Sequence, residues 1–290
     1  MSTGFAEIVD LPDAEFEMAW DSIHVDAAIK KRIVAQALLA LTVRGRVSFE
    51  VAPLHGLILL SGPPGTGKTT LARGLANQVA KALPKQRLTF VQLDPHAFAS
   101  SSHGKSQKEV TKLFQNSIPE IAAGGVCIVL FDEIETMIAD RHKLSLEANP
   151  VDVHRATDAA LAGLDQLTRQ NKNTLIVATT NFQNALDAAL LSRADLVEFI
   201  GLPDCVAREQ IFSSMLGELS AVWSGLGQLI PQSKKFAEAS DGLDGRQIRK
   251  AVLSAAARCQ HSAMDLSKLE VDQLFAELKK ITDQIRGDVP

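Results

Sequence analysis

This 290-residue sequence has few cysteines, a small net charge and no long apolar run. The three cysteines are odd in number and far apart, which argues against a disulfide framework or a cysteine-based zinc site and favours a reducing compartment. The formal net charge is only −4, so the basic footprint of a dedicated nucleic-acid binder is missing. Since neither a run of roughly 18 apolar residues nor an apolar leader occurs, we expect a cytoplasmic protein with no membrane-embedded part.

Apolar runs alternate with helical spacing through the first two thirds of the chain. Several of the runs are apolar throughout, and this alternation predicts an α/β fold in which a parallel sheet is flanked by helices. The predicted strands lie over 55–62, 87–93, 126–131, 174–180 and 196–200. The predicted helices between them lie over 29–43, 67–82, 106–122 and 152–169.

The pattern changes at Pro203, after which only helical spacing is found. This change predicts a small all-helical domain behind the α/β domain. We therefore expect a short polar N-terminal extension over 1–19, a large α/β domain over 20–202 and a helical domain over 203–290.

The strongest chemical signal is GPPGTGKTT, which follows a predicted strand and opens a predicted helix. Its spacing matches a phosphate-binding loop, in which glycines let backbone N–H groups surround phosphates at the positive end of a helix. Lys68 is placed to reach the β- and γ-phosphates of ATP, and Thr69 offers a hydroxyl to Mg²⁺. The alternative is an ordinary glycine-rich turn. The candidate nucleotide-binding residues are Gly62, Pro63, Pro64, Gly65, Thr66, Gly67, Lys68, Thr69 and Thr70.

Two acids stand at the end of the next apolar strand, in VCIVLFDEIE. Ligands bind at the carboxyl ends of such strands, so Asp132 is a candidate for the Mg²⁺ site and Glu133 for the base that polarises an attacking water. Asn181, which closes the strand in VATTN, could orient the same water. The alternatives are a helix-capping pair of acids and a turn asparagine.

GPPGTGKT, LFDEIE, ATTN and the helical C-terminal part together resemble the AAA+ ATPases over nearly the whole chain from about residue 20. The resemblance implies a P-loop core followed by a helical lid. It also implies that Arg193 reaches the γ-phosphate of a neighbouring subunit in a ring, for which the family precedent is a hexamer. A surface ion pair of Arg193 with Asp195 is the alternative. In the lid, Arg246 matches the arginine that senses γ-phosphate in cis, and Arg249 competes for that role.

A narrower resemblance is to the pachytene-checkpoint AAA+ remodellers, whose substrates are HORMA-domain proteins. It rests on WDSI, GKSQKEVTKLFQ, LLSRADLVEFIGLP and GLDGRQIRK. It implies that the ring partly unfolds a HORMA protein and, in the compact bacterial branch, separates it from a nucleotidyltransferase that makes cyclic nucleotides in antiviral defence. The family's pore loop has an aromatic residue before GKSQKEV, where this sequence has FASSSH; a polar grip is therefore expected if Phe98 does not reach the pore.

Three other functions remain open at this point. A DNA-associated AAA+ loader or transposition helper has only IKKRI and RQIRK as basic support, and each of these also fits a solvated helix face. A non-catalytic nucleotide-switched scaffold is disfavoured because the candidate catalytic residues are present together. An unfoldase that acts on another protein client would use the same motifs.

Overall fold

The structure is a computed structural model that describes residues 4–94, 111–136, 138, 150–182, 184 and 186–287. The chain forms two compact units, each with its own apolar core. The first contains the described residues of Met1–Trp20, Ala27–Gly62 and Lys68–Phe199, and the second those of Asp21–Asp26, Pro63–Gly67 and Ile200–Pro290. Among the helices described, none has both the length and the apolar composition needed to cross a bilayer.

A six-stranded sheet is the centre of the first unit. Its strands, β1 to β6 in chain order, are Phe5–Leu11, Leu57–Ser61, Leu88–Leu93, Val126–Phe131, Thr174–Thr180 and Leu196–Phe199. They lie in the order β1-β3-β4-β5-β2-β6, and all pairs are parallel except β1 with β3. Every residue of β2, β4 and β5 is buried, as expected of strands covered on both faces.

The helices of this part of the chain follow the predicted alternation. Helices α1 to α6 are Ala14–Ser22, Ala27–Val43, Lys68–Ala82, Ile118–Ala122, Pro150–Gln170 and Ala188–Leu191. The helix predicted over 106–122 is described from residue 111, and five of its residues, Leu113–Ser117, form a π-helical segment before α4. Residues 106–110 lie outside the described ranges.

The N-terminal segment differs from the prediction of a polar extension, because it contains β1 and α1. Strand β1 makes the sheet mixed rather than fully parallel. Its two polar side chains lie three positions apart and both have ionic partners: Glu7 pairs with Arg73, and Asp10 pairs with Arg87 at 2.8 Å. A strand that contains acidic residues paired in this way has no continuous apolar run, so a prediction based on apolar runs does not find it.

The second unit is helical, as predicted from Pro203 onward. Helices α7 to α11 are Cys205–Ser220, Ser233–Ala239, Gly245–Ala256, Gln260–Met264 and Val271–Gly287. Two of them begin at an aspartate whose carboxylate accepts a backbone N–H: Asp204 accepts from Ala207, and Asp244 accepts from Gln247 in a reciprocal capping box. These caps explain where α7 and α9 start.

We predict that Gly74→Ala destabilises the protein although alanine is the better helix former. A Cβ at Gly74 in α3 would lie 2.7 Å from Cα and 2.8 Å from the backbone N of Trp20, and backbone cannot easily move away. Overpacking of this kind costs about 1–3 kcal/mol, against about 1 kcal/mol gained in helix propensity. The measurement is the free energy of unfolding in urea.

The matched control is Gly217→Ala in α7, where a Cβ would meet nothing within 4 Å. This variant should be stabilised by about 0.5–1 kcal/mol. Equal stabilisation of both variants would show that Trp20 does not constrain Gly74.

Candidate functional site

The segment GPPGTGKTT connects β2 to α3, as the sequence predicts. Gly62, Gly65 and Gly67 have positive φ angles of 146°, 80° and 87°. A Cβ at Gly65 would lie 2.3 Å from the Asp244 carboxylate, and one at Gly67 would lie 2.5 Å from Ile23 Cδ1. The positive φ angles favour glycine at all three positions, and a side chain at Gly65 or Gly67 would also displace the end of a neighbouring side chain.

The remaining members of this segment complete the turn and the first helical residues. The Thr66 hydroxyl donates to the Pro63 carbonyl at 3.0 Å, which closes the turn from within, while Pro64 is exposed. Helix α3 begins at Lys68, so Thr69 and Thr70 lie in its first turn. Backbone N–H groups at such a helix start attract anions.

Lys68 connects the loop to the neighbouring strand β5. Its ammonium group is buried and donates to the Gly62 carbonyl at 2.9 Å and to Asn181 Oδ1 at 2.8 Å. Asn181 directly follows β5, so both acceptors lie at the carboxyl edge of the sheet. The structure thus brings together two residues that are 113 positions apart in the sequence.

Asp132 lies at the same edge, directly after β4. Its Oδ1 accepts hydrogen bonds from the hydroxyls of Thr69 at 2.7 Å and Thr179 at 2.6 Å. The Thr179 hydroxyl also accepts the backbone N–H of Glu133 at 3.0 Å. Thr179 therefore links both acids of the DEIE segment to β5, a contact that the sequence analysis did not find although Thr179 lies within the ATTN motif.

Glu133 has a strained backbone. Its φ of 52° is the one positive value among the described residues other than glycine. Its side chain is exposed, and Oε1 accepts from the Asn181 amide at 3.2 Å. Asn181 is itself positioned through its backbone N–H, which donates to Glu135 Oε1 at 3.0 Å. An accessible carboxylate held beside an amide is suited to orient a water molecule.

Arg193 lies at the opposite edge of the sheet. It precedes β6, which runs parallel to β2 with Ile58 opposite Leu196, so Arg193 is at the amino end of these strands. Lys68 bonds at their carboxyl end. Five residues at about 3.3 Å each put roughly 15 Å between the two edges. Arg193 therefore cannot reach a phosphate held by Lys68 of its own chain.

The ion pair of Arg193 with Asp195, considered as an alternative, is not formed. Arg193 instead pairs with Asp165 of α5, Nε donating to Oδ1 at 2.7 Å and Nη2 to Oδ2 at 2.8 Å. This pairing holds the pKa of the Asp165 carboxyl below its usual range and raises the pKa of Arg193. Asp195 accepts the backbone N–H groups of His55 and Gly56, at 2.8 and 2.6 Å, and so anchors β6 to the start of β2.

The two candidate arginines of the second unit differ in what surrounds them. Arg249 is half-buried, and its Nη2 donates to the Ser22 carbonyl at 2.8 Å. Arg246, in the first turn of α9, is exposed. The structure thus gives Arg249 a packing contact and leaves the Arg246 guanidinium accessible. The loop before GKSQKEV, for which a polar grip is predicted, lies outside the described residues.

Comparison with known proteins explains this arrangement. Residues 58–202 match the family described as "ATPase family associated with various cellular activities (AAA)". The chain belongs to the AAA family of ATPases. The match runs from β2 to just past β6 and so contains the phosphate loop, both acids, Asn181 and Arg193.

Individual relatives of this AAA ATPase extend the comparison to the whole chain. CD-NTase-associated protein 6 of Pseudomonas aeruginosa is 48% identical over 93% of this chain and 90% of its own length. A putative pachytene checkpoint protein 2 of Caenorhabditis elegans is 33% identical over 75% of this chain and 52% of its own. In fold, the chain resembles a structure entitled "Structure of E. coli MS115-1 HORMA:CdnC:Trip13 complex", with a TM-score of 0.78 at 18% identity over 96% of this chain and 95% of that one.

The donor set of the AAA site fits Mg²⁺ better than a metal held by protein alone. The Thr69 hydroxyl and the Asp132 carboxylate are hard oxygen donors in contact with each other. In the described part of the chain, three or more histidine, cysteine or acidic residues nowhere group into a metal site. Mg²⁺ typically takes one or two protein oxygens and completes its shell with water and substrate phosphates.

We predict that Thr179→Val lowers kcat for ATP on the order of 10-fold to 100-fold, because Asp132 and the Glu133 backbone both lose the hydroxyl that positions them. Thr179→Ser keeps that hydroxyl and should keep most of the activity. The assay is steady-state hydrolysis over a range of Mg²⁺ concentrations, with nucleotide affinity measured separately. Full activity of the valine variant would show that the bridge has no role in hydrolysis.

Proposed function

We propose that this AAA ATPase is a ring-forming remodeller that uses ATP hydrolysis to open a HORMA-domain protein and separate it from a signalling nucleotidyltransferase in antiviral defence. The observation that carries the proposal is the division of functional groups between the two edges of one sheet. A phosphate loop, two acids and an asparagine meet at the carboxyl edge, and Arg193 lies at the amino edge.

The carboxyl edge supplies nucleotide binding and hydrolysis. The residues 62–70 would hold the phosphates of ATP, with Lys68 at the β- and γ-phosphates, and Thr69 and Asp132 would hold Mg²⁺. When bound, Mg²⁺ neutralises charge that develops on the phosphate oxygens. Glu133 would accept a proton from the attacking water, and Asn181, which already donates to Glu133 at 3.2 Å, would orient that water.

The position of Arg193 at the amino ends of the strands is the reason to propose a ring. Arg193 lies roughly 15 Å from the edge that would hold the phosphates in its own chain. We therefore propose that its N–H groups not bonded to Asp165 or Ala189 contact the γ-phosphate of a neighbouring subunit. Contacts of this head-to-tail kind close into rings, and we propose a homohexamer. The ATPase domain would end at residue 202 and include β1 and α1 of the predicted 1–19 extension, and the lid would cover 203–290. In the lid, the exposed Arg246 would sense the γ-phosphate in cis.

The client and partner follow from the relatives. The Pseudomonas protein, 48% identical, is named for its association with a CD-NTase. The E. coli structure with the same fold is entitled as a complex that contains HORMA, CdnC and Trip13. Opening a folded client requires energy that coupling to ATP hydrolysis can supply. We place this activity in the cytoplasm, without a role for membrane or nucleic acid.

Arg193→Ala should abolish hydrolysis while leaving nucleotide affinity nearly unchanged. An arginine that acts on the transferring phosphoryl group in trans is worth about 10³–10⁵ in rate. Affinity would be measured by titration with a fluorescent ATP analogue and hydrolysis by phosphate release. Loss of nucleotide binding would mean that Arg193 acts on its own chain's nucleotide or only supports the fold.

Glu133→Gln should trap the client, because the ring would bind ATP and hydrolyse it poorly. We expect a HORMA-domain protein, alone or with a nucleotidyltransferase, to co-purify from the native host with ATP present and to be identified by mass spectrometry. The matched control adds Lys68→Ala to the same chain, which should lose ATP and release the client. Recovery of DNA or of an unrelated protein would overturn the HORMA assignment and leave the ATPase activity standing.

A further inference from the structure

The ion pair between Asp165 and Arg193 has two-point geometry. The Asp165 carboxylate accepts from Nε and Nη2 at 2.7 and 2.8 Å, so it occupies one complete edge of the planar guanidinium group. The Ala189 carbonyl accepts from Nη1 at 2.6 Å. These three bonds use three of the five N–H groups of Arg193 and leave one on Nη1 and one on Nη2 without an acceptor among the described residues. The remaining N–H of Nη2 lies at the tip, because its other N–H is on the edge that Asp165 occupies.

The segments on either side of this pair are anchored in the core. Asp165 follows Leu164 in α5, and Arg193 comes three residues after Leu190 of α6; both leucines are buried in the core of the first unit. Asp187 caps α6 by accepting the backbone N–H of Ala189 at 2.8 Å. The contacts of Asp165 therefore orient Arg193 relative to the sheet itself.

Other charged groups surround the pair without replacing it. Asp187 and Asp165 both favour the charged form of Arg193, and His55 lies close enough to interact with Asp165. The Arg193 side chain is still 23% exposed, and that of Asp165 is 34% exposed. The guanidinium is thus braced at its side while part of it faces solvent.

We propose that Asp165 is a positioning residue that presents the tip of Arg193 to the γ-phosphate of the neighbouring subunit. The inference rests on the function of Arg193 proposed above. Without the brace, a long arginine side chain would sample many rotamers and lose that freedom only when it meets the phosphate. The carboxylate lies on the side edge of the guanidinium, so it supports the arginine and leaves the tip for a second anion.

The test is hydrolysis by mixed rings. Arg193→Ala and Glu133→Gln are each expected to be inactive alone, but mixing them should restore activity. About one interface in four in a randomly mixed ring pairs an intact site with an intact arginine. Asp165→Asn alone should lower kcat on the order of 10-fold to 100-fold with unchanged nucleotide affinity. Mixed with Glu133→Gln it should regain activity, whereas mixed with Arg193→Ala it should not.

The mixing pattern separates a brace from a general structural role. If Asp165 served its own chain's site, Asp165→Asn would instead be complemented by Arg193→Ala, and the proposal would be wrong. Faster hydrolysis by Asp165→Asn would mean that the ion pair keeps Arg193 away from the phosphate. That result would also contradict the proposal. If the mixture of Arg193→Ala and Glu133→Gln stays inactive, Arg193 does not act on a neighbouring subunit. The proposed role of Asp165 would then be wrong as well.

Two further variants control for charge and geometry. Asp10→Asn removes the carboxylate of another ion pair, which Asp10 forms with Arg87 at the surface. Asp10 lies on β1, the outermost strand on the side of the sheet away from β6, so this variant should leave kcat unchanged. Asp165→Glu retains a carboxylate on α5 and should recover part of the rate lost by Asp165→Asn. Equal loss in Asp165→Asn and Asp10→Asn, with full activity in Asp165→Glu, would show that net charge, and not the brace, sets the rate.

Discussion

The parallel pairing of β2 with β5 on one side and β6 on the other is the constraint on which the rest of the structure depends. In this register Ser61 lies opposite both Thr180 and Phe199. The chain therefore leaves β2 and β5 at one edge, where the phosphate loop meets Asn181, and enters β6 at the other edge, beside Arg193. The same strand pairing brings the loop, the acids and Asn181 to one end of the strands and places Arg193 at the other.

Strain is concentrated where the chemistry takes place. Glu133 adopts a left-handed backbone, which costs a residue other than glycine about 1–2 kcal/mol. The cost is offset locally, since Thr179 accepts the Glu133 N–H and Asn181 donates to its carboxylate. Neighbouring strands thus hold Glu133 exposed and oriented. Arg193 is oriented in a similar way, because Asp165 bonds one edge of its guanidinium group and leaves the side chain partly exposed.

Motif spacing in the sequence predicted the parallel core, the phosphate loop and the acids at the end of β4, because each depends on neighbours along the chain. Contacts between distant residues were not predictable in this way. Strand β1 was missed because its acids pair with Arg73 and Arg87, far along the chain. The alternative partner considered for Arg193 was the nearby Asp195, yet Arg193 pairs with Asp165 of α5, and Asp195 accepts backbone N–H groups at the start of β2.

The sequence by itself determined which chemical groups this AAA ATPase has at its candidate site: glycines in the turn after β2, a lysine and a threonine at a helix start, and acids at the end of an apolar strand. Those choices follow from local geometry, which spacing records. Only the tertiary structure decided the partners. It bonds the Thr179 hydroxyl to Asp132, the Arg249 guanidinium to the Ser22 carbonyl and Arg193 to Asp165. Such contacts depend on strand order and helix packing, which bring together residues whose separation in the sequence carries no signal.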